Sequence, residues 1–228
     1  MHKPLSAVSL ATGLFLSGLT FASPAQAQAL DATGLQAIDA AVTAVAPKMV
    51  NWRRDIHSHP ELSGQEVRTA KLVAEHLKKL GMEVQTGVGG TGVVGTLKGG
   101  LPGKVVALRA DMDALPVLEN TGLPFASKAK ATYLGKEVPV MHACGHDAHT
   151  AMLMGAAEVL AGMKAQLPGT VKFIFQPAEE GAPVEPDANG KVPSFGAKAM
   201  IEAGALKDVQ AIYGLHITSN LPGGVVGY

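Results

Sequence analysis

Residues 141 to 150, MHACGHDAHT, hold the chain's one cysteine and three of its eight histidines. Thiolate and imidazole are both ligands for zinc-like ions. A single spacer between Cys144 and His146 lets the two side chains converge only where the backbone turns tightly, and Gly145 permits that turn. The alternative is a small buried thiol, since free cysteine is among the most buried residue types. Two adjacent carboxylates, Glu179 and Glu180 in FQPAEEG, pose a second question, because like charges raise one another's pKa. A divalent cation resolves it: one glutamate binds the ion and the other accepts a proton from water whose pKa the metal has lowered to ~7. The alternative here is a solvated acidic loop. With His216 in AIYGLHI, the sequence offers four candidate ligands, Cys144, His146, Glu180 and His216. Asp147 is placed to orient a ligating imidazole. His142 and His149 are either supporting donors or ordinary capping residues, and Asp111 and Asp113 follow the strand-like VVALRA.

These residues need a scaffold that gathers them. Runs such as Val105 to Leu108 and Val171 to Phe175 are nearly continuous in apolar residues, as expected of strands covered by helices on both faces. The expected fold class is therefore α/β, a layered arrangement. Helical spacing is read over 30–50 (Leu35, Ile38, Val42, Val45), 64–80 with Gly81 as its cap, 148–166 and 196–204. RRDIHSHPEL is read as a polar loop between the first two helices, and the Pro-, Gly- and Asn-rich 181–194 as a surface loop. The four polar clusters fall at or beyond the carboxyl ends of strands, where open α/β sheets bind ligands.

Composition narrows the function classes. The chain has 228 residues, 47% of them hydrophobic and 4% aromatic, with 19 basic and 19 acidic side chains. That balance, without a basic run, argues against a nucleic-acid partner. Residues 1–29 carry a basic start, an apolar run to about Phe21 and small-x-small patterns at Ala25–Ala29, so they read as a secretory signal peptide. Export to a bacterial periplasm or the exterior is expected, with no membrane span after cleavage. A lone cysteine in an oxidising compartment is then buried, reactive or metal-bound.

The ordered set RRDIHSHPELSGQE, ALRADMDALPVLE, MHACGHDAHTAMLMGAA, FQPAEEG, FGAKAMIEAGAL and LHITSNLPGGVVG resembles the aminoacylase/carboxypeptidase family of metal-dependent hydrolases. The nearest branch is that of hippurate hydrolases, N-acyl-L-amino-acid amidohydrolases and indole-acetyl-amino-acid hydrolases, and the resemblance spans roughly 35–228. It implies a layered α/β/α metallopeptidase-like catalytic domain over 30–228, truncated before a lid or dimerisation domain. It also implies two divalent metal ions (zinc, manganese, cobalt or nickel) and a metal-bridging hydroxide that cleaves the amide bond of N-acyl amino acids or small peptides. Carried over, Cys144 (as bridge), His146, Glu180 and His216 are ligands and Glu179 the general base. A His-x-Asp ligand motif of more distant relatives reads Arg109-Ala110-Asp111 here, which makes the Cys-Gly-His cluster necessary and leaves Asp111 and Asp113 structural or supporting. Related enzymes continue past the point matching Tyr228 and supply a further histidine ligand. Little activity is therefore expected of these residues alone, and a homo-oligomer only of the full-length enzyme. Two rivals remain open: a Cys144 nucleophile paired with His146 or His149, and a non-catalytic binding domain that retains the site.

Overall fold

A computed structural model describes residues 32–227. Segment 1–29, expected above to be a signal peptide, lies outside the described residues. No helix among the described residues is long and apolar enough to cross a membrane.

Helix α1 (Ala32–Ser58) runs on past its expected end at residue 50. The polar run RRDIHS continues the helix rather than opening a loop, because Val45, Met49, Trp52 and Ile56 recur at spacings of four, three and four and keep one apolar stripe. Ile56 is fully buried, whereas Leu35 and Val42, expected to face the core, are exposed. Helix α2 (Val67–Lys79) opens with the Glu61 carboxylate accepting from the Arg68 and Thr69 N–H groups, both at 2.8 Å. It closes as expected at Gly81 (φ 75°), with Gly81 N–H donating to Lys78 O and Met82 N–H to Leu77 O.

Strands β1 (Glu83–Val88), β2 (Gly92–Lys98) and β3 (Leu101–Asp111) follow. A small hairpin of β4 (Lys130–Tyr133) and β5 (Lys136–Pro139), not expected from the sequence, precedes α3 (His146–Gly162). Then come β6 (Pro168–Gln176), α4 (Gly196–Glu202) and β7 (Ala211–Gly214). The main sheet has the order β1-β2-β6-β3-β7. β3 runs parallel to both β6 and β7, while β2 is antiparallel to β6. Residues 181–194 lack regular structure, as expected.

The layering is α/β/α but lopsided. Ile56, Val73, Leu77, Leu153 and Met154 from α1, α2 and α3 pack on the face carrying Val93, Leu97, Phe173 and Phe175. The other face, with Val94, Ala107 and Ile174, is covered by Met200 of α4, Ala205 and the turn after it. Apolar continuity along β6 correctly implies two covered faces, yet it carries no information about how thick each cover is.

This topology positions the site. The chain leaves β3 for β6 on one side and reaches β7 on the other, so the three parallel strands share one carboxyl end. Asp111 ends β3 opposite Gln176 of β6, and His216 lies two residues past β7. The N-terminus of α3, at His146, opens at this same site.

Candidate metal centre

Gly145 is the pivot of the CGH motif. It sits in the left-handed region (φ 85°, ψ 14°) at the N-cap of α3, which turns the chain between Cys144 and His146. A Cβ added there would lie 3.3 Å from the Ile217 Cβ, next to His216. Gly145→Ala is thus expected to cost about 1–2 kcal/mol in backbone strain and to push the His216 segment away. Thermal unfolding together with a metal titration checks this. A variant with wild-type melting and metal affinity would show that the turn does not need glycine.

Three ligand groupings meet at His146, their ligand atoms within 4.8 Å of one another: Cys144–His146–His216, His146–Glu179–Glu180 and Asp111–His146–His149. His146 is fully buried. Its Nδ1 donates to the Asp113 carbonyl oxygen at 2.9 Å, so the lone pair is on Nε2, which has no hydrogen-bond partner. An orphaned, buried imidazole nitrogen aimed at thiol and carboxylates is what a cation site requires of the protein. His216 is prepared in the same sense: its Nδ1 donates to Ile217 O at 2.6 Å, and Nε2 lies 3.5 Å from Cys144 Sγ. Glu179 Oε2 is 3.9 Å from His146 Nε2.

Electrostatics agree with the geometry. Burial opposes charge on His146, but the Asp113 side chain, 3.2 Å from Nδ1, and Asp111 carry its pKa above the ordinary value. The Cys144 thiol is pushed up to about 12, first by burial and then by Glu180, Glu179 and Asp111. A thiol held neutral by carboxylates is the opposite of an activated nucleophile. The imidazole in hydrogen-bond contact with it is that of His216, at 3.5 Å. A cation among the same groups would reverse the sign of the local field and favour thiolate.

The supporting residues divide. Asp113 is buried and joins two parts of the site: it accepts from the Glu180 N–H at 2.9 Å and the Ser63 hydroxyl at 2.6 Å, and it flanks His146. Asp111 is paired with Arg109 and lies 3.4 Å from His149 Nδ1. His149 Nε2 accepts from the Ile217 N–H at 3.0 Å, so the Asp111–His149 pair steadies the backbone beside His216. The expectation for Asp147 needs correcting. Its carboxylate binds Arg53 Nε at 2.7 Å and His57 Nδ1 at 2.8 Å, and none of the candidate ligands. His57, whose other nitrogen meets Glu119 at 3.0 Å, has its pKa raised chiefly by Asp147. Asp147 thereby ties α1 to the start of α3. His142, expected as a supporting donor or a cap, lies in the irregular stretch before α3. It is buried beside His57 with both ring nitrogens unpartnered, outside the three groupings, and burial lowers its pKa to about 4.

Sequence reading missed Ser63, His57 and Glu66. The Glu66 carboxylate is buried and accepts from Ala178 N–H, Gly64 N–H and the Thr91 hydroxyl.

Comparison with known proteins gives a consistent picture. A family model described as peptidase family M20/M25/M40 matches residues 107–228. Thermostable carboxypeptidase 1 of Saccharolobus solfataricus is 52% identical over 178 residues, covering 78% of this chain and 41% of that protein. N-acetylcysteine deacetylase of Bacillus subtilis is 46% identical over 181 residues, covering 79% and 42%. Among solved structures, a dinuclear metal-binding M20-family peptidase of Bacillus subtilis aligns with a TM-score of 0.65 at 44% identity, covering 81% of this chain and 45% of that one. The chain thus spans about two fifths of the length of these curated relatives.

Proposed function

Because this chain belongs to peptidase family M20/M25/M40, we propose that it works in a metal-dependent amidohydrolase acting on N-acyl amino acids or small peptides. The observation that carries the reading is the buried, unpartnered Nε2 of His146, shared between a thiol–imidazole grouping and a carboxylate grouping. In this reading Cys144, His146, Glu180 and His216 would hold the cations, His146 through its one free nitrogen, Nε2. The thiolate and imidazole donors suit zinc, and the carboxylates also suit manganese. Bound divalent ions supply Lewis acidity at a carbonyl oxygen and lower the pKa of water to ~7.

The chain's own residues handle the proton. Glu179 takes it from the attacking water and returns it to the amine nitrogen as the C–N bond breaks, which leaves a carboxylic acid and a free amino acid. Asp113 fixes the His146 tautomer and the Glu180 backbone at once. The names of the relatives, a carboxypeptidase and an N-acetylcysteine deacetylase, support substrates with an amide bond next to an amino acid.

The test is hydrolysis of N-acetyl and N-benzoyl amino acids and dipeptides by the complete enzyme that carries these residues, before and after chelation, with metal add-back. Loss on chelation and recovery with zinc or manganese is expected. Hydrolysis that survives chelation but is abolished by alkylating Cys144 would replace this reading with a cysteine nucleophile. In parallel, Cys144→Ser is expected to lower metal occupancy and to remove the sulfur-to-metal charge-transfer band of the cobalt-loaded protein, since a serine hydroxyl is a far poorer ligand than thiolate. Unchanged stoichiometry and spectrum would return Cys144 to the role of a packing residue.

A further inference from the structure

We propose that Glu66 is a positioning residue: its buried carboxylate clamps the strained turn Ala178-Glu179-Glu180 and so sets where the two site carboxylates point. The proposal rests on the amidohydrolase reading for its consequence in turnover, though its geometry stands independently of that reading.

Ala178 is one of three described non-glycine residues with positive φ, at 48°. An alanine in the left-handed region costs about 1–2 kcal/mol, so surrounding contacts must impose the conformation. They do so from both sides. The Ala178 N–H donates to Glu66 Oε1 at 2.8 Å, within the core. Two residues on, the Glu180 N–H donates to Asp113 Oδ2 at 2.9 Å. Glu179 is thus held between two backbone bonds to buried carboxylates that come from different parts of the chain. Behind the turn, a Cβ at Gly196 would come within 2.7 Å of the Ala178 carbonyl oxygen, so the packing leaves no room for the turn to relax that way.

Glu66 is itself anchored. It is fully buried, its Oε1 also accepts from the Gly64 N–H at 2.8 Å, and its Oε2 accepts from the Thr91 hydroxyl. The Ala178 bond spans 112 residues of sequence, so no local preference accounts for it. Every partner of Glu66 is a donor, yet none is a charged group. Burial raises its pKa against these donors. The role is therefore one of reach and acceptor geometry, and a glutamine can fill it: the amide oxygen would accept from Gly64 and Ala178, and the amide NH2 would donate to the Thr91 oxygen.

Three variants separate positioning from bulk stability. Glu66→Leu removes the acceptors, Glu66→Asp keeps the charge but shortens the reach by one methylene, and Glu66→Gln keeps the reach without the charge. In the wild type and each variant, the readouts are amide exchange at residues 178–180, the absorption spectrum with cobalt(II) bound, and kcat and KM on an N-acyl amino acid. With Glu66→Leu and Glu66→Asp, exchange at Ala178 should be faster by about tenfold, the worth of one buried hydrogen bond. The ligand-field bands should change while the sulfur-to-cobalt band persists, because Glu180 has moved and Cys144 has not. Turnover should fall by roughly 10²-fold with KM nearly unchanged, the scale of a 1 Å misplacement. Glu66→Gln should restore all three. Wild-type exchange and spectra in Glu66→Asp, or a Glu66→Gln that behaves like Glu66→Asp, would overturn the proposal. If Glu66→Leu does not fold, the Asp and Gln variants carry the comparison. A complete wild-type enzyme that hydrolyses no amide would sink the amidohydrolase reading instead, while exchange and spectra would still decide the role of Glu66.

Discussion

Replacing Glu179 by glutamine is expected to leave metal content unchanged and to lower turnover by about 10²–10⁴-fold, the range that general acid–base transfer contributes. Glutamine keeps the size and polarity of the side chain but cannot carry the proton from water to the leaving amine. The structure gives reason to expect that little else moves. Glu179 is partly exposed, at 35% of its side-chain area, so the substitution opens no cavity. Its backbone neighbours are fixed by Glu66 and Asp113 through bonds the variant does not touch. Metal analysis and steady-state kinetics on one preparation make the measurement. A kcat within a few-fold of wild type would remove Glu179 from the proton-transfer role.

The second large effect is on metal binding itself. His146 is the one residue common to all three ligand groupings, and its free nitrogen is the centre on which they converge. Disturbing a residue that merely orients a ligand typically costs 10–100-fold in metal affinity, so His146→Ala should cost at least ~100-fold. The side chain is also fully buried, and removing it opens a cavity and takes His146 from the Asp113 carboxylate, which keeps only Ser63 and the Glu180 N–H. Thermal unfolding in the presence of chelator separates that structural cost from the loss of metal. Affinity should also depend on pH. The folded His146 holds its proton above the ordinary pKa of 6.5, and that proton competes with the cation. Binding is therefore expected to strengthen as pH rises through the raised pKa and to weaken below it. A His146→Ala protein that retains wild-type metal affinity would show that the groupings do not mark the centre.

The parts of the site that could be read from the sequence are those whose chemistry is compressed into a few residues. Cys144, His146, Glu179 and Glu180 announce themselves because unusual residue types sit side by side, and the parallel strands announce themselves through their apolar runs. What stayed hidden depends on distant partners. Ser63 and Glu66 have the spacing of a helix-capping pair. In the fold the Ser63 hydroxyl goes to Asp113, while Glu66 reaches Ala178 and Thr91. Asp147 stands next to His146 in sequence, and that proximity suggested the wrong imidazole. On helix α3 the adjacent side chain points elsewhere, and its partner is His57 at the end of α1. The run RRDIHS looked like a loop because its charges hid the continuing stripe of Trp52 and Ile56.

The sheet order has a consequence for how such a centre comes into being. The residues that meet at His146 lie near positions 111, 146, 180 and 216, and the strand that delivers His216 is the last one among the described residues. Each intervening stretch is a loop whose closure costs entropy before any contact rewards it. Until β7 docks beside β3, the chain offers only part of the donor set, whatever the remaining elements have done. Affinity for a cation is thus a property of the finished topology. Titrating metal during refolding would date the arrival of β7, and the ion would act as a latch on the long-range β3–β7 pairing.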